Sequence, residues 1–129
     1  MITIPKKVEY SIIFISYLAK NQDKTISLKE SSKKLFLPYS FLSKLATSLV
    51  NGGLIISQEG KSGGYQLAPN WSEKSFYDLL EILGENKAMV SCLGSKSCAH
   101  AGQCSIQKIW LKVETSWQQQ LQNIKLSQI

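Results

Sequence analysis

The chain has 129 residues, 43% hydrophobic and 19% charged, a composition that fits one small globular unit and excludes a disordered or fibrous chain. Its formal charge is +6, and all fifteen basic residues are lysine. The densest apolar run, residues 12–15, is broken by Ser16, far short of a membrane span.

Pro5, Lys6 and Lys7 are not followed by the apolar stretch of a secretory leader, so a cytoplasmic location is expected, where thiols stay reduced. The charge is unevenly distributed. Residues 1–70 carry nine lysines against four acids, a balance of +5; residues 71–129 carry six against five, a balance of +1. An excess confined to one half suits a surface that meets phosphates. The absence of arginine removes the commonest bidentate contact to guanine, so an A·T-rich partner duplex is expected.

Residues 5–20 read as a buried helix, with Val8, Ile12, Ile15 and Ala19 on one stripe and Ile13, Phe14, Tyr17 and Leu18 widening it. Ser27-Leu28-Lys29-Glu30 has the form of a capping box and opens a short second helix that ends near Lys34. Pro38 suits the first position of a third helix, residues 38–51, which Gly52 and Gly53 stop. Leu42, Leu45 and Leu49, with Phe41, face inward on it. Tyr39, Ser40, Ser43, Lys44 and Thr47 share the other side, and all can donate hydrogen bonds.

A short helix, a tight turn and a helix with such an outer stripe form the helix-turn-helix pattern. An amphipathic helix alone would look the same; the next segment decides. Residues 54–57 and 65–68 are short strand candidates, joined by a turn that contains Gly60, Lys61, Ser62, Gly63 and Gly64. The glycines let this turn approach another surface closely, and Lys61 can reach a phosphate. A hairpin of this kind after a helix-turn-helix makes a winged helix.

Ser72 is expected to cap a further helix with Phe76, Leu79, Leu80 and Leu83 inward and Gly84 as its stop. Residues 84–104 are polar and contain Cys92, Cys98 and Cys104, the chain's three cysteines. Their C-x5-C-x5-C spacing matches neither a disulfide framework nor paired C-x2-C zinc knuckles. Three thiols on one loop suit an iron–sulfur cluster completed by a different fourth ligand. A zinc site that adds His100 and a metal-free thiol switch are the alternatives. No phosphate-cradling loop, carboxylate pair or triad pattern points to an enzyme or to a small-molecule substrate.

From Ser105 a last helix is expected to run almost to the end, about 30 Å long. Ile106, Trp110, Val113, Trp117, Leu121 and Ile124 recur on it at spacings of four and three. Two tryptophans on one stripe exceed what a small domain needs to cover, so this stripe is expected to form a homodimer. The fold class expected is mainly α with a small β-hairpin wing. Residues 1–70 form the winged helix-turn-helix DNA-binding domain, 71–104 the connecting helix and cysteine loop, and 105–129 the dimerisation helix.

These residues resemble the IscR/NsrR/RirA-type winged-helix repressors of bacteria over nearly the whole chain. The resemblance is carried by the wing (residues 60–68, GKSGGYQLA), by the cysteine triplet, by residues 37–42 (LPYSFL) and by the long last helix. It implies a homodimer that binds a double-stranded operator and holds a 2Fe–2S or 4Fe–4S cluster on Cys92, Cys98 and Cys104. Cluster state then alters operator affinity in response to iron, nitric oxide or redox state. Members of this type often carry a histidine three residues after the last cysteine, where this chain has Gln107. Glu9, in the place where some relatives use an acid from the first helix of the other subunit, is the first candidate for fourth ligand, and His100 the second. DNA contacts are expected from Lys29, Tyr39, Ser40, Ser43, Lys44, Thr47, Lys61, Ser62 and Gly63. Glu59 departs from the arginine often found before the wing glycine.

Overall fold

The computed structural model describes residues 3–94, 100 and 104–129. Pro5 precedes α1 (Lys6–Ala19) in extended conformation and serves as its N-cap. The face that α1 buries runs Val8, Ser11, Phe14, Ile15 and Leu18, all at most 1% exposed. This line is rotated from the expected stripe: Ile13 is exposed, while Ile12 and Ala19 are only half-buried. Ser11 accounts for the shift, because its hydroxyl donates to the Lys7 carbonyl and lets a polar residue sit in the core.

Ser27 caps α2 (Leu28–Leu35) by accepting from the Glu30 N–H at 3.1 Å. The expected box is only half formed. The Glu30 carboxylate accepts instead from the Tyr17 hydroxyl at 3.3 Å, which ties α2 to α1. Burial first, and the adjacent carboxylate second, raise the Tyr17 pKa and keep it a donor. Phe36 ends α2 in the left-handed region, and Leu37 returns the chain to the core.

Pro38 is the N-cap of α3 (Tyr39–Asn51) rather than its first helical residue, its backbone extended at ψ 128°. Leu42, Leu45, Ala46 and Leu49 are buried, and the Phe41 ring meets Tyr10 edge-on at 5.3 Å. Gly52 follows with no room for a side chain, since a Cβ there would collide with Ile82.

β1 (Ile55–Gln58) pairs antiparallel with β2 (Gly64–Leu67), in register from Ile55 opposite Leu67 to Gln58 opposite Gly64. The strands lie within one residue of the expected positions. Ile26, between α1 and α2, adds a bridge to Tyr65 through two backbone hydrogen bonds of 3.0 and 2.8 Å. The hairpin is thereby rooted in the helical body.

Ser75, not Ser72, caps α4 (Phe76–Ile82), in a reciprocal capping box with Asp78. Ser72 lies one turn earlier, inside a 3-10 turn over Trp71–Glu73. Leu79, Leu80 and Leu83 are buried as expected, and Gly84 at φ 71° follows the helix. A four-residue helix, α5 (Ser91–Gly94), occupies part of the segment expected to be the cysteine loop.

The last helix, α6 (Gln107–Asn123), is 17 residues long, about 25 Å, and stops short of the expected end. Ile124 is extended and its carbonyl accepts from the Phe76 N–H, while the Leu126 N–H donates to the Lys74 carbonyl. Leu126 is 1% exposed and anchors this return strand and its 3-10 turn, Leu126–Gln128, under α4. One core thus gathers α1, α3, α4, the hairpin root and the C-terminal return.

Candidate nucleic-acid interface and cysteine segment

The same helical periodicity that buries Leu42, Leu45 and Leu49 leaves the other side of α3 open. Tyr39, Ser40, Lys44 and Thr47 are exposed there and Ser43 is half-buried. The Thr47 hydroxyl donates to the Ser43 carbonyl at 3.1 Å, which leaves its lone pairs free to accept. Lys29 is exposed on α2. Among the described residues the ion pairs are Lys6–Glu9 and Lys7–Glu85; Lys29, Lys44 and Lys61 pair with no carboxylate.

Lys61 and Ser62 are exposed at the wing tip, beside Glu59. Gly60 adopts φ 117°, and the Gly63 N–H donates back to its carbonyl at 3.0 Å. Gly63 is required for compactness: a Cβ would stand 2.6 Å from the Gln58 carbonyl oxygen. Thr25 donates its hydroxyl to the Ser62 carbonyl and so fastens the tip to the connection between α1 and α2. Thr25 and Ile26 therefore position the wing, a role that apolar periodicity could not reveal in a polar turn.

Cys92 lies on α5 and Cys104 shortly before α6; both thiols are half-buried and outside any disulfide. Cys98 lies outside the described residues. The Met89 N–H donates to the Glu114 carboxylate at 3.2 Å and braces the approach to α5 against α6. Glu9 is exposed and held by Lys6 at 3.0 Å, a hydrogen bond that raises the Lys6 pKa. On the same helix Lys7 reaches Glu85 at 2.7 Å, and this hydrogen bond lowers the Glu85 pKa. His100 is exposed and Gln107 half-buried. Among the described residues no three His, Cys, Asp or Glu side chains gather as a metal site, so Glu9 and His100 are not drawn together with Cys92 and Cys104.

Of the stripe expected to meet a partner, Ile106, Trp110, Val113 and Trp117 are between 38% and 54% exposed. Leu121 corrects the expectation, because it is 6% exposed and packs into its own chain. Ile124 is exposed but lies beyond the helix. Ile109 and Leu111, absent from the expected stripe, are 60% and 54% exposed.

A helix-turn-helix with an uncovered donor face and a rooted glycine-tipped hairpin defines a winged-helix DNA-binding module of the transcription-regulator class. The solved structure of CymR (YrzC), titled the global cysteine regulator of B. subtilis, has the same fold, with a TM-score of 0.78 over 98% of this chain and 94% of that one, at 23% identity. The chain belongs to the Rrf2 family, whose model, described as an iron-dependent transcriptional regulator, matches residues 4–129. It is 26% identical over 109 residues to the HTH-type transcriptional regulator IscR of Pectobacterium atrosepticum, which spans 84% of this chain and 66% of that relative. A relative from Aquifex aeolicus is 31% identical over 86 residues, 67% of this chain and 60% of its own length. No helix among the described residues is long and apolar enough to cross a membrane.

Proposed function

We propose that this chain is a homodimeric, cytoplasmic repressor whose grip on a double-stranded operator is set by an iron–sulfur cluster. The observation that carries the DNA-binding part is α3, closed on its leucine side and open along Tyr39, Ser40, Lys44 and Thr47. Lysines on α2 and the wing neutralise phosphates and supply a salt-dependent attraction without sequence preference. Tyr39, Ser40, Ser43, Lys44 and Thr47 read base edges in the major groove. Residues 1–70 are assigned to DNA binding, 71–104 to the cysteine segment and 105–129 to dimerisation. The protein acts by binding and not by catalysis.

Cys92, Cys98 and Cys104 would hold the cluster, with Glu9 of the other subunit or His100 as the remaining ligand. The donor set fits: the two described thiols are half-buried and outside any disulfide, one on α5 and one three residues before α6, and α5 packs on α6. The family's iron-dependent description supports the same reading. When bound, such a cluster supplies a thiolate-ligated iron centre that reacts with oxidants and nitric oxide. The chain's own part is mechanical: α5 and the segment before α6 would present the thiols, the Met89–Glu114 hydrogen bond braces the approach to α5, and the Lys7–Glu85 pair links that segment to α1. A coupling of about 1–3 kcal/mol between the two sites changes operator occupancy roughly 5- to 150-fold.

The test is anaerobic purification with iron and sulfide analysis, followed by operator binding before and after replacement of the three cysteines by serine. Iron and sulfide in the purified protein, and an affinity that changes with the cysteines, support the reading. A cysteine-dependent change without iron reassigns control to a thiol switch, and zinc without sulfide to a structural zinc site. Identical binding throughout removes metal control altogether.

A further inference from the structure

Phe36 combines two unfavourable features at one position. Its side chain is 91% exposed, the highest value among the large apolar residues described. Its backbone stands at φ 56° and ψ 40°, and among the described residues no other non-glycine has a positive φ. Bulky residues avoid this region, and a glycine or asparagine would end α2 there without strain.

The backbone, not the ring, holds this conformation. The Phe36 and Leu37 N–H groups both donate to the Ser32 carbonyl, and the Ser32 hydroxyl donates to the Leu37 carbonyl at 2.6 Å. Leu37 is 7% exposed and turned into the core, so the adjoining phenyl ring is directed out of the fold. At 91% exposure the phenyl group gains little from packing on the described residues of its own chain.

Its surroundings identify what it meets. Lys33 and Lys34 precede it on the last turn of α2, and Tyr39 and Ser40 follow on the exposed start of α3. Lys29, Ser32 and Lys33 of α2 and Tyr39 of α3 line a shallow depression between the two helices that Phe36 joins. The acid of α2, Glu30, is engaged by Tyr17. An apolar ring framed by unpaired lysines matches a polyanion that also presents apolar groups. Duplex DNA does so in its major groove, through the thymine methyl.

We propose that Phe36 is a specificity-determining DNA contact, its ring packed on thymine methyl groups at the edge of the groove that α3 enters. The proposal rests on α3 being the recognition helix. It also gives the lysine-only chain a way to prefer A·T pairs without arginine.

The experiment selects duplexes from a random library with the full-length protein, then measures binding and thermal unfolding of Phe36→Gly, Phe36→Asn and Lys44→Ala. Both Phe36 variants should melt above the wild type and yet bind the selected duplex about 5- to 100-fold more weakly. Replacement of thymine by deoxyuridine in the site should weaken the wild type and leave both Phe36 variants unchanged. Equal binding by the variants, or an equal uracil effect on all proteins, overturns the proposal. If the wild type enriches no duplex, or Lys44→Ala binds like the wild type, the recognition-helix reading itself falls.

Discussion

Lys44 and Lys61 are both exposed and without a carboxylate partner, but they stand on different surfaces and should act differently. Lys44 projects from the middle of α3, where a helix seated in the major groove meets base edges. Lys61 sits at the tip of a hairpin rooted to the body by Ile26 and Thr25, the position of a backbone clamp. Lys44→Ala should weaken operator binding by about 1–3 kcal/mol and relax preference at one base pair. Lys61→Ala should weaken all duplexes alike and lower the salt slope by about 1. Titrations of matched and single-mismatch duplexes at several salt concentrations separate the two. Ser75 offers a prediction on stability: its hydroxyl and the Asp78 carboxylate each satisfy an amide that α4 leaves open. Ser75→Ala should cost about 1 kcal/mol in denaturant unfolding, whereas Ser72→Ala should cost almost nothing. The sequence alone favoured Ser72 because serine is a good cap wherever it occurs. The start of α4 is fixed by the Asp78 partner of Ser75 and by backbone bonds to the C-terminal return, Phe76 N–H to the Ile124 carbonyl and Leu126 N–H to the Lys74 carbonyl.

Among the elements, the helix-turn-helix and hairpin could be read almost directly from residue pattern, since leucine spacing and clustered glycines are local signals. What joins the hairpin to the body could not be read that way. The Ile26–Tyr65 bridge pairs one isoleucine in a polar turn with a strand distant in sequence. The C-terminal return was hidden for a related reason: Ile124 continues the apolar spacing of α6, so nothing local marks Asn123 as the end. Tertiary bonds to α4 override the helical pattern there. Gly64 is the most exacting point of the hairpin, because any Cβ would press on the Ile26 carbonyl. The neighbour is backbone in a paired bridge and has no rotamer to change. Gly64→Ala should therefore destabilise the protein by about 1–3 kcal/mol and reduce operator binding as the wing shifts. Thermal unfolding with parallel binding measurements checks this. A loss of binding with unchanged stability would mean that the bridge yields more easily than its geometry implies.

Across the molecule, the main imbalance is in α6. Its C-terminal end is committed to the chain's own core through Leu121, yet Ile109, Trp110, Leu111, Val113 and Trp117 remain between 38% and 60% exposed. The sequence indicated an unsatisfied stripe but placed Leu121 on it, since spacing of four and three does not say which end of a helix is already covered. Apolar exposure this dense on one helix marks a protein surface. A second copy is the simplest occupant, because a two-fold axis presents each α6 with the same need. Such a pair would set two α3 helices against half-sites 10–10.5 base pairs apart or a multiple of that. Ile109→Glu combined with Val113→Glu places two acids in that seam while leaving Leu121 and Leu126 untouched. Sedimentation should then show a monomer whose far-ultraviolet circular dichroism matches the wild type. Its operator affinity should fall by far more than either Lys44→Ala or Lys61→Ala alone, because the second half-site no longer arrives with the first. A dimer that persists in this variant would move the interface off α6 and leave its exposed tryptophans to another partner.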